Sequence, residues 1–261
     1  MGDTKGVVMM VCCWSLVDLP LVKTGFDLAK IIAERVELLD GDIVALSSSI
    51  VSKAEEGPVP LDSFTPTEHA LSIAARNGAD PRFVQAVLDN SKEVLLESPF
   101  LLVERENGHI CVNAGIDTSN VGEEDSVLLL PVDADKSARD LQERLKRLTG
   151  VTIGVVIIDT NGRAFRVGQT GVAIGVAGVE VMRDWRGKPD LFGKTLEVKH
   201  EAVIDELAGF ANLLIGEGDG GTPVALIRGL GMLVEESSIR DVFRRPEDDV
   251  IRKALKGWRG E

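Results

Sequence analysis

The chain has 261 residues, 44% of them hydrophobic and 27% charged, the composition of an ordinary globular protein with enough material for a substantial core. A formal net charge of -13 argues against a general affinity for nucleic acid or anionic membranes, whose partners present basic surfaces. Cys12, Cys13 and Cys111 give neither a disulfide framework nor a CxxC pair, so a reducing cytoplasm is expected and a zinc site is not.

In chain order, residues 7–17 form an apolar run too short to span a bilayer and without a basic leader, which predicts an N-terminal core strand. Leu19, Pro20, Leu21 and Val22 follow its end, the proline denying ladder hydrogen bonds. Asp27 predicts the cap of a helix whose apolar stripe is Leu28, Ile31, Ile32 and Val36. Residues 43–46 predict a buried strand that runs into Ser47, Ser48, Ser49, Ser52 and Lys53. Hydroxyls and a lysine past a strand end suit a phosphate, and equally an ordinary serine-rich turn. Thr65-Pro66-Thr67-Glu68 predicts a capping box with proline at the first helical position, and Asp80-Pro81 repeats that logic for the next helix. Residues 100–106 and 109–114 predict a hairpin through a two-residue Asn107-Gly108 turn, leaving His109 as an exposed strand residue. A strand over residues 126–130 and an amphipathic helix over residues 138–148, closed by Gly150, come next.

Residues 153–158 are apolar and β-branched, as in a strand covered on both faces. Asp159, Thr160, Asn161, Gly162 and Arg163 then arrive together, reading either as a polar turn or as a ligand site on a rigid strand end. Residues 113–121 offer the same kit after another strand: Asp117, Thr118, Ser119 and Asn120. Hard cations such as Mg²⁺ or Mn²⁺ need only a few such oxygens, because water and substrate phosphates complete the shell. His69, His109 and His200 have no HExxH spacing. A strand over residues 172–176 leads to a polar segment, residues 183–190, whose cations could meet an anionic substrate and whose Trp185 could stack on a ring.

Residues 206–214 predict a helix, residues 216–223 a glycine-rich loop, residues 224–228 a strand and residues 244–256 a terminal helix. Gly216, Gly218 and Gly221 satisfy GxGxxG, but the order helix, loop, strand excludes the dinucleotide fingerprint. Gly193-Lys194-Thr195 lacks the upstream glycine of a P-loop. What remains is backbone N–H groups that can wrap phosphates, beside Glu217 and Asp219. Together, Asp117, Asp159, Thr160 and Glu217 form a candidate divalent-metal cluster, with Lys53 and residues 216–222 as a phosphate cradle. Such a set suits phosphoryl transfer, where positioning and charge neutralisation supply most of the catalysis. Arg163 or Arg166 is a candidate to receive a substrate carboxylate, or a structural ion pair. The pattern alone gives a mixed α/β sheet. It leaves open a kinase or ligase for some small carboxylate, or a non-catalytic nucleotide-binding protein.

Five motifs occur in order: LPLV at residues 19–22, SxxSKAE at residues 49–55, CVNAGIDTSNV at residues 111–121, DTNGR at residues 159–163 and GEGDGGTP at residues 216–223. In this the chain resembles the coenzyme F-420-0:L-glutamate ligase (γ-glutamyl ligase) family over nearly its full length. The resemblance implies a GTP-dependent amide ligase that adds L-glutamate to a deazaflavin coenzyme precursor, then a further glutamate through a γ-linkage. By resemblance GTP is held by Leu19, Pro20, Leu21, Val22, Ser48, Ser49, Lys53, Asn120, Ile215, Gly216, Glu217, Gly218, Asp219, Gly220, Gly221 and Thr222. Asp117, Asp159, Thr160 and Glu217 bind two Mg²⁺ or Mn²⁺ ions, with K⁺ as a further candidate, and Asp117, Asp159 and Arg163 are the candidate catalytic residues. It also implies an α+β, two-part module spanning residues 1–261 that forms an intertwined homodimer. The partners are then GTP, L-glutamate and the precursor, with no nucleic acid and no membrane.

Overall fold

A computed structural model describes residues 10–257. Its elements run β1 (Cys12–Ser15), α1 (Leu28–Arg35), β2 (Ile43–Ser47), α2 (Ser48–Glu55), β3 (Val59–Pro60), α3 (Glu68–Asn77), α4 (Pro81–Asp89), β4 (Glu93–Leu96), β5 (Leu102–Glu104), β6 (Ile110–Val112) and β7 (Ser126–Val127). They continue as α5 (Ala134–Thr149), β8 (Gly154–Arg163), β9 (Arg166–Ala177), β10 (Arg183–Asp184), β11 (His200–Glu201), α6 (Val203–Ile215), β12 (Val224–Arg228) and α7 (Val250–Gly257). The fold is mixed α/β. Residues 7–9 of the predicted first strand lie outside the described residues.

The central sheet has the order β1-β12-β2-β8-β9, with β2 and β8 parallel and the other neighbours antiparallel. Where its middle strands are covered on both faces, at residues 43–46, 154–158 and 224–227, they carry no polar side chain. Val44, Leu46, Val155 and Ile157 pack with α1 and α5. Ile43, Ala45, Val156 and Ile158 point the other way, toward Ile204, Leu207, Ala208 and Ala211 of α6. Each fully buried valine, leucine or isoleucine among these contributes about 1.5–3 kcal/mol of burial.

One irregularity matters for the site. The β8–β9 register shifts between Ile157/Gly175 and Ile158/Ala173, leaving an extra residue on β9. Ala173 and Val176 face α6, whereas Ile174 packs on the α5 side and a Cβ on Gly175 would also meet Ala134 of α5, at 2.6 Å. Two successive side positions on one face are the signature of a β-bulge, which bends a strand and re-aims the side chains beyond it.

Between α2 and α5 the chain builds a separate cluster in which Ala70, Ile73, Val84, Val87, Val103 and Val127 are buried. Its sheet has the order β4-β5-β6. The last helix closes over this part: Asp249 Oδ1 accepts from the N–H groups of Ile251 and Arg252, and the Arg252 guanidinium pairs with Glu93 and Glu104. Among the described residues no helix is long and apolar enough to cross a membrane.

Several expectations are corrected. Residues 48–55 are a helix, not a serine-rich turn, because Ile50 and Val51 bury into the α1/α5 core. The cap of α3 is Thr67, whose Oγ1 accepts from Ala70 N–H, so Pro66 precedes the cap instead of opening the helix. The β5–β6 turn spans three residues, with Arg105 N–H donating to His109 O. His109 is buried, not exposed, with its ring against Phe243 at 5.9 Å between centroids and Nε2 unpartnered. α5 begins at Ala134, directly after its cap Asp133, and α7 at Val250, later than the predicted start because Pro246 lies before the Asp249 cap. The DTNGR stretch is neither turn nor loop: β8 runs on to Arg163 and turns at Ala164-Phe165, with Asp159 opposite Val172.

Candidate active site

The C-terminal ends of β2 and β8, the N-terminus of α2, the 113–120 segment and the 216–223 loop surround one cleft of about 780 Å³. Parity places Asp159 on the same face of β8 as Val155 and Ile157, toward α2, where Ser48 Oγ donates to Asp159 Oδ1 at 3.2 Å. The crowding there leaves no room for a side chain at position 115: a Cβ on Gly115 would lie 2.3 Å from Leu130 Cδ1 and 3.5 Å from Asp159 Oδ2. Gly115 also has φ +68°, a conformation that glycine adopts at little cost.

Asp117 is fixed by its own segment. Its backbone pairs with Leu128, and its Oδ1 accepts from both the N–H and the Oγ of Ser119 at 2.7 Å. Glu217 follows the end of α6, where Asn212 Nδ2 donates to Glu217 Oε1 at 2.9 Å. Thr222 Oγ1 donates to Ile215 O at 3.1 Å and ties the two ends of the glycine-rich loop together. Lys53 Nζ reaches across from α2 to Asn120 O at 2.5 Å, and it is the only basic side chain lining the cleft among the described residues.

The electrostatics fit a cation. Burial pushes the Asp159 carboxyl up from its usual value to about 6, opposed by the N–H of Thr160 and the Ser48 hydroxyl and aided by the negative charges of Asp117 and Glu217. Asp159 feels both other carboxylates, and the Ser48 hydroxyl bonds to it while Thr160 lines the same cleft; oxygen donors of this kind suit Mg²⁺ or Mn²⁺. Among the described residues no group of three or more Asp, Glu, His or Cys side chains is close enough together to hold a metal ion by itself. Behind these donors, burial holds the Arg105 guanidinium below its usual range, and Arg105 Nη2 donates to the carbonyls of Leu130 and Pro131 at 3.3 Å. Burial likewise pushes the Cys111 thiol, which lines the cleft, up to about 12.

The cleft therefore gathers Leu21, Ser48, Ser49, Lys53, Asp117, Asn120, Asp159, Thr160, Ile215, Gly216, Glu217, Gly218, Asp219, Gly221 and Thr222. Leu19, Pro20, Val22 and Gly220 are not in its lining, and Leu19 and Val22 pack against the α1/α5 core. Arg163 sits exposed near the tip of the β8–β9 hairpin, its Nη1 donating to Gly168 O at 3.1 Å, and it does not line the cleft. Trp185 lies outside the cleft too, its Nε1 donating to Glu201 and its ring under Lys188 Nζ at 5.1 Å.

The sequence profile of F420-0:Gamma-glutamyl ligase matches residues 16–229. The chain belongs to this ligase family. A relative from Archaeoglobus fulgidus, "Coenzyme F420:L-glutamate ligase", is 53% identical over 238 residues, covering 91% of this chain and 95% of the relative. Relatives of the same name from Methanosarcina acetivorans (53% identical, 91% and 94% covered) and Halobacterium salinarum (47%, 92% and 95%) are similar along the same span. As an F420 ligase the chain is an enzyme, and the cleft is lined by residues from each of the five ordered motifs, LPLV contributing only Leu21.

In this F420 ligase the sequence reading missed Gln169 and Asn212, which line the cleft together with Asn161 of the DTNGR stretch. Gln169 lies directly across the hairpin from Gly162, and Asn161 Nδ2 donates to Ile110 O at 3.1 Å. The signal for Gln169 was present: DTNG and VGQTG are the two arms of one hairpin, recognisable once residues 166–177 are read as its return strand. Asn212 is a polar residue five positions before Glu217, in the otherwise apolar stretch of α6 that follows Asp205 and Glu206.

Proposed function

We propose that this chain is a GTP-dependent amide ligase that joins L-glutamate to the lactyl carboxylate of F420-0 and then adds a γ-linked glutamate. The observation that carries the reading is the single cleft shared by Asp117, Asp159 and Glu217 with Lys53 and the 216–222 loop. The N-terminus of α2 with Ser48 and Ser49, the Lys53 ammonium and the N–H groups of the glycine-rich loop suit the phosphates of GTP. Asp117, Asp159, Thr160 and Glu217 suit two Mg²⁺ or Mn²⁺ ions, which when bound neutralise charge on the transferring phosphoryl oxygens. K⁺ is a further candidate in the same oxygen-rich cleft.

In this reading an oxygen of the precursor carboxylate attacks the γ-phosphorus of GTP, the bond to the β-phosphate oxygen breaks, and GDP leaves. The glutamate amine then attacks the acyl carbon of the acyl phosphate, inorganic phosphate departs and the amine loses a proton. The protein's part is to orient both carboxyl-bearing partners and exclude water from the acyl phosphate, so no protein nucleophile is required. An intertwined homodimer belongs to the same reading. It is supported by arms that leave Phe165, Val167, Leu191 and Phe192 at 95–98% exposure in one chain, apolar surface of the kind that marks an interface.

The test is incubation of the purified chain with GTP, Mn²⁺, L-glutamate and F420-0, with the product weighed by mass spectrometry. Addition of one and then two glutamates with matching release of GDP supports the reading. GDP release without glutamate addition, or addition to a different carboxylate only, refutes it.

A further inference from the structure

The two carboxylates Asp159 and Glu217 come from different elements, yet one helix touches the support of both. Along α6, Asp205, Ala208 and Asn212 are spaced by three and four residues and share a stripe of the helix surface. That stripe lies on β9. Asp205 Oδ1 accepts from Ala173 N–H at 3.1 Å, at the start of the bulge. One turn on, the helix passes so close to the strand that a Cβ on Gly171 would lie 2.7 Å from Ala208 O and 2.7 Å from Asn212 Cβ. Another turn on, Asn212 Nδ2 donates to Glu217 Oε1 at 2.9 Å, while Asn212 O accepts from Gly216 N–H at 2.9 Å.

We infer that α6 is the positioning element of the cleft, with Asn212 holding the Glu217 carboxylate and Asp205 holding the bulged strand end opposite Asp159. Asn212 does two things for one loop. Its carbonyl ends the helix, and its amide fixes the rotamer of the first carboxylate beyond it, leaving Glu217 Oε2 without a claim from this amide. Asp205 acts one residue away from the pair Asp159/Val172, because Ala173 is the partner of Ile158. Groups that orient a ligand without touching the ion change metal affinity by about 10–100-fold when removed.

The inference rests on the reading of Asp159 and Glu217 as facing a divalent ion. It is tested by titrating the full chain with Mn²⁺ and following free Mn²⁺ by electron paramagnetic resonance, alongside thermal melting. Asn212→Leu keeps the branching of the side chain and removes the donor; it is expected to weaken Mn²⁺ binding about tenfold with little change in melting temperature. Asp205→Ala is expected to weaken it as well, and Asp205→Asn, which keeps an acceptor oxygen for Ala173 N–H, to restore it. Parent-like Mn²⁺ binding in Asn212→Leu and Asp205→Ala overturns the inference, as does a loss that Asp205→Asn fails to rescue. A parent chain that binds no Mn²⁺ refutes the metal reading itself, a separate failure that takes the inference with it.

Discussion

Ser48 Oγ donates to Asp159 Oδ1 at 3.2 Å, joining the first turn of α2 to β8 across 111 positions of sequence. The bond exists because β2 and β8 are parallel neighbours whose last pair is Ser47/Ile158, so that Ser48, where β2 ends, and Asp159, where β8 continues without it, arrive side by side. Ligand sites of open α/β sheets form at such strand ends.

Asp159→Asn preserves the shape of this junction and removes a charge that burial makes costly. The variant should melt at or above the parent's temperature while GDP release coupled to glutamate addition falls about 10²–10³-fold, the scale for losing one preorganised electrostatic contact. Near-parent turnover would take Asp159 out of the metal site.

Lys53→Met removes the cleft's basic side chain but keeps its apolar stem. With a charge-assisted contact to phosphate worth about 1.5–3 kcal/mol, the KM for GTP should rise about 10–100-fold. Steady-state kinetics with GTP varied measures it, and an unchanged KM would separate Lys53 from the nucleotide.

Gly171→Ala places a methyl group against backbone, at Ala208 O. Neither strand nor helix backbone can yield cheaply there, so a loss of about 1–3 kcal/mol is expected in denaturant unfolding, as for other overpacked contacts. Stability equal to the parent's would mean that α6 rides on β9 less closely than the geometry shows.

His109 provides a pH signature. Burial, helped by the positive charge of Arg105, lowers its pKa from 6.5 to about 4 in the fold. The unfolded chain therefore takes up a proton that the folded chain refuses. The stabilisation is fully present above pH 6.5 and is lost progressively as pH falls through about 4, amounting to roughly 3 kcal/mol. His109→Phe, which retains a ring against Phe243, should lose less melting temperature between about pH 7 and pH 4.5 than the parent. Parallel curves would show that His109 does not carry the effect.

Local chemistry made much of the scaffold legible. Asp27 and Asp80-Pro81 cap the helices expected of them, Gly150 ends α5 in a left-handed conformation, and residues 43–46 and 153–158 are the buried strands that their unbroken apolar runs predict. The acids and hydroxyls of the cleft were also legible as residue types, because they stand out at the ends of apolar runs. What failed were features decided by contacts distant in sequence. α2 is helical because Ile50 and Val51 find a core, which its serines do not announce. The continuation of β8 through DTNGR depends on its pairing with β9, and that pairing overrides good turn residues. His109 is buried by Phe243, contributed by a segment more than a hundred residues later.

Asp117 belongs to the segment inserted between α2 and α5, whereas Asp159 and Glu217 hang from the central sheet and its helix. An ion gripped by all three would act as a rivet between two separately cored halves. Stripping it with a chelator should then slacken the seam between those halves before either half melts, and a spectroscopic ruler spanning the seam would lengthen while the secondary structure stays intact.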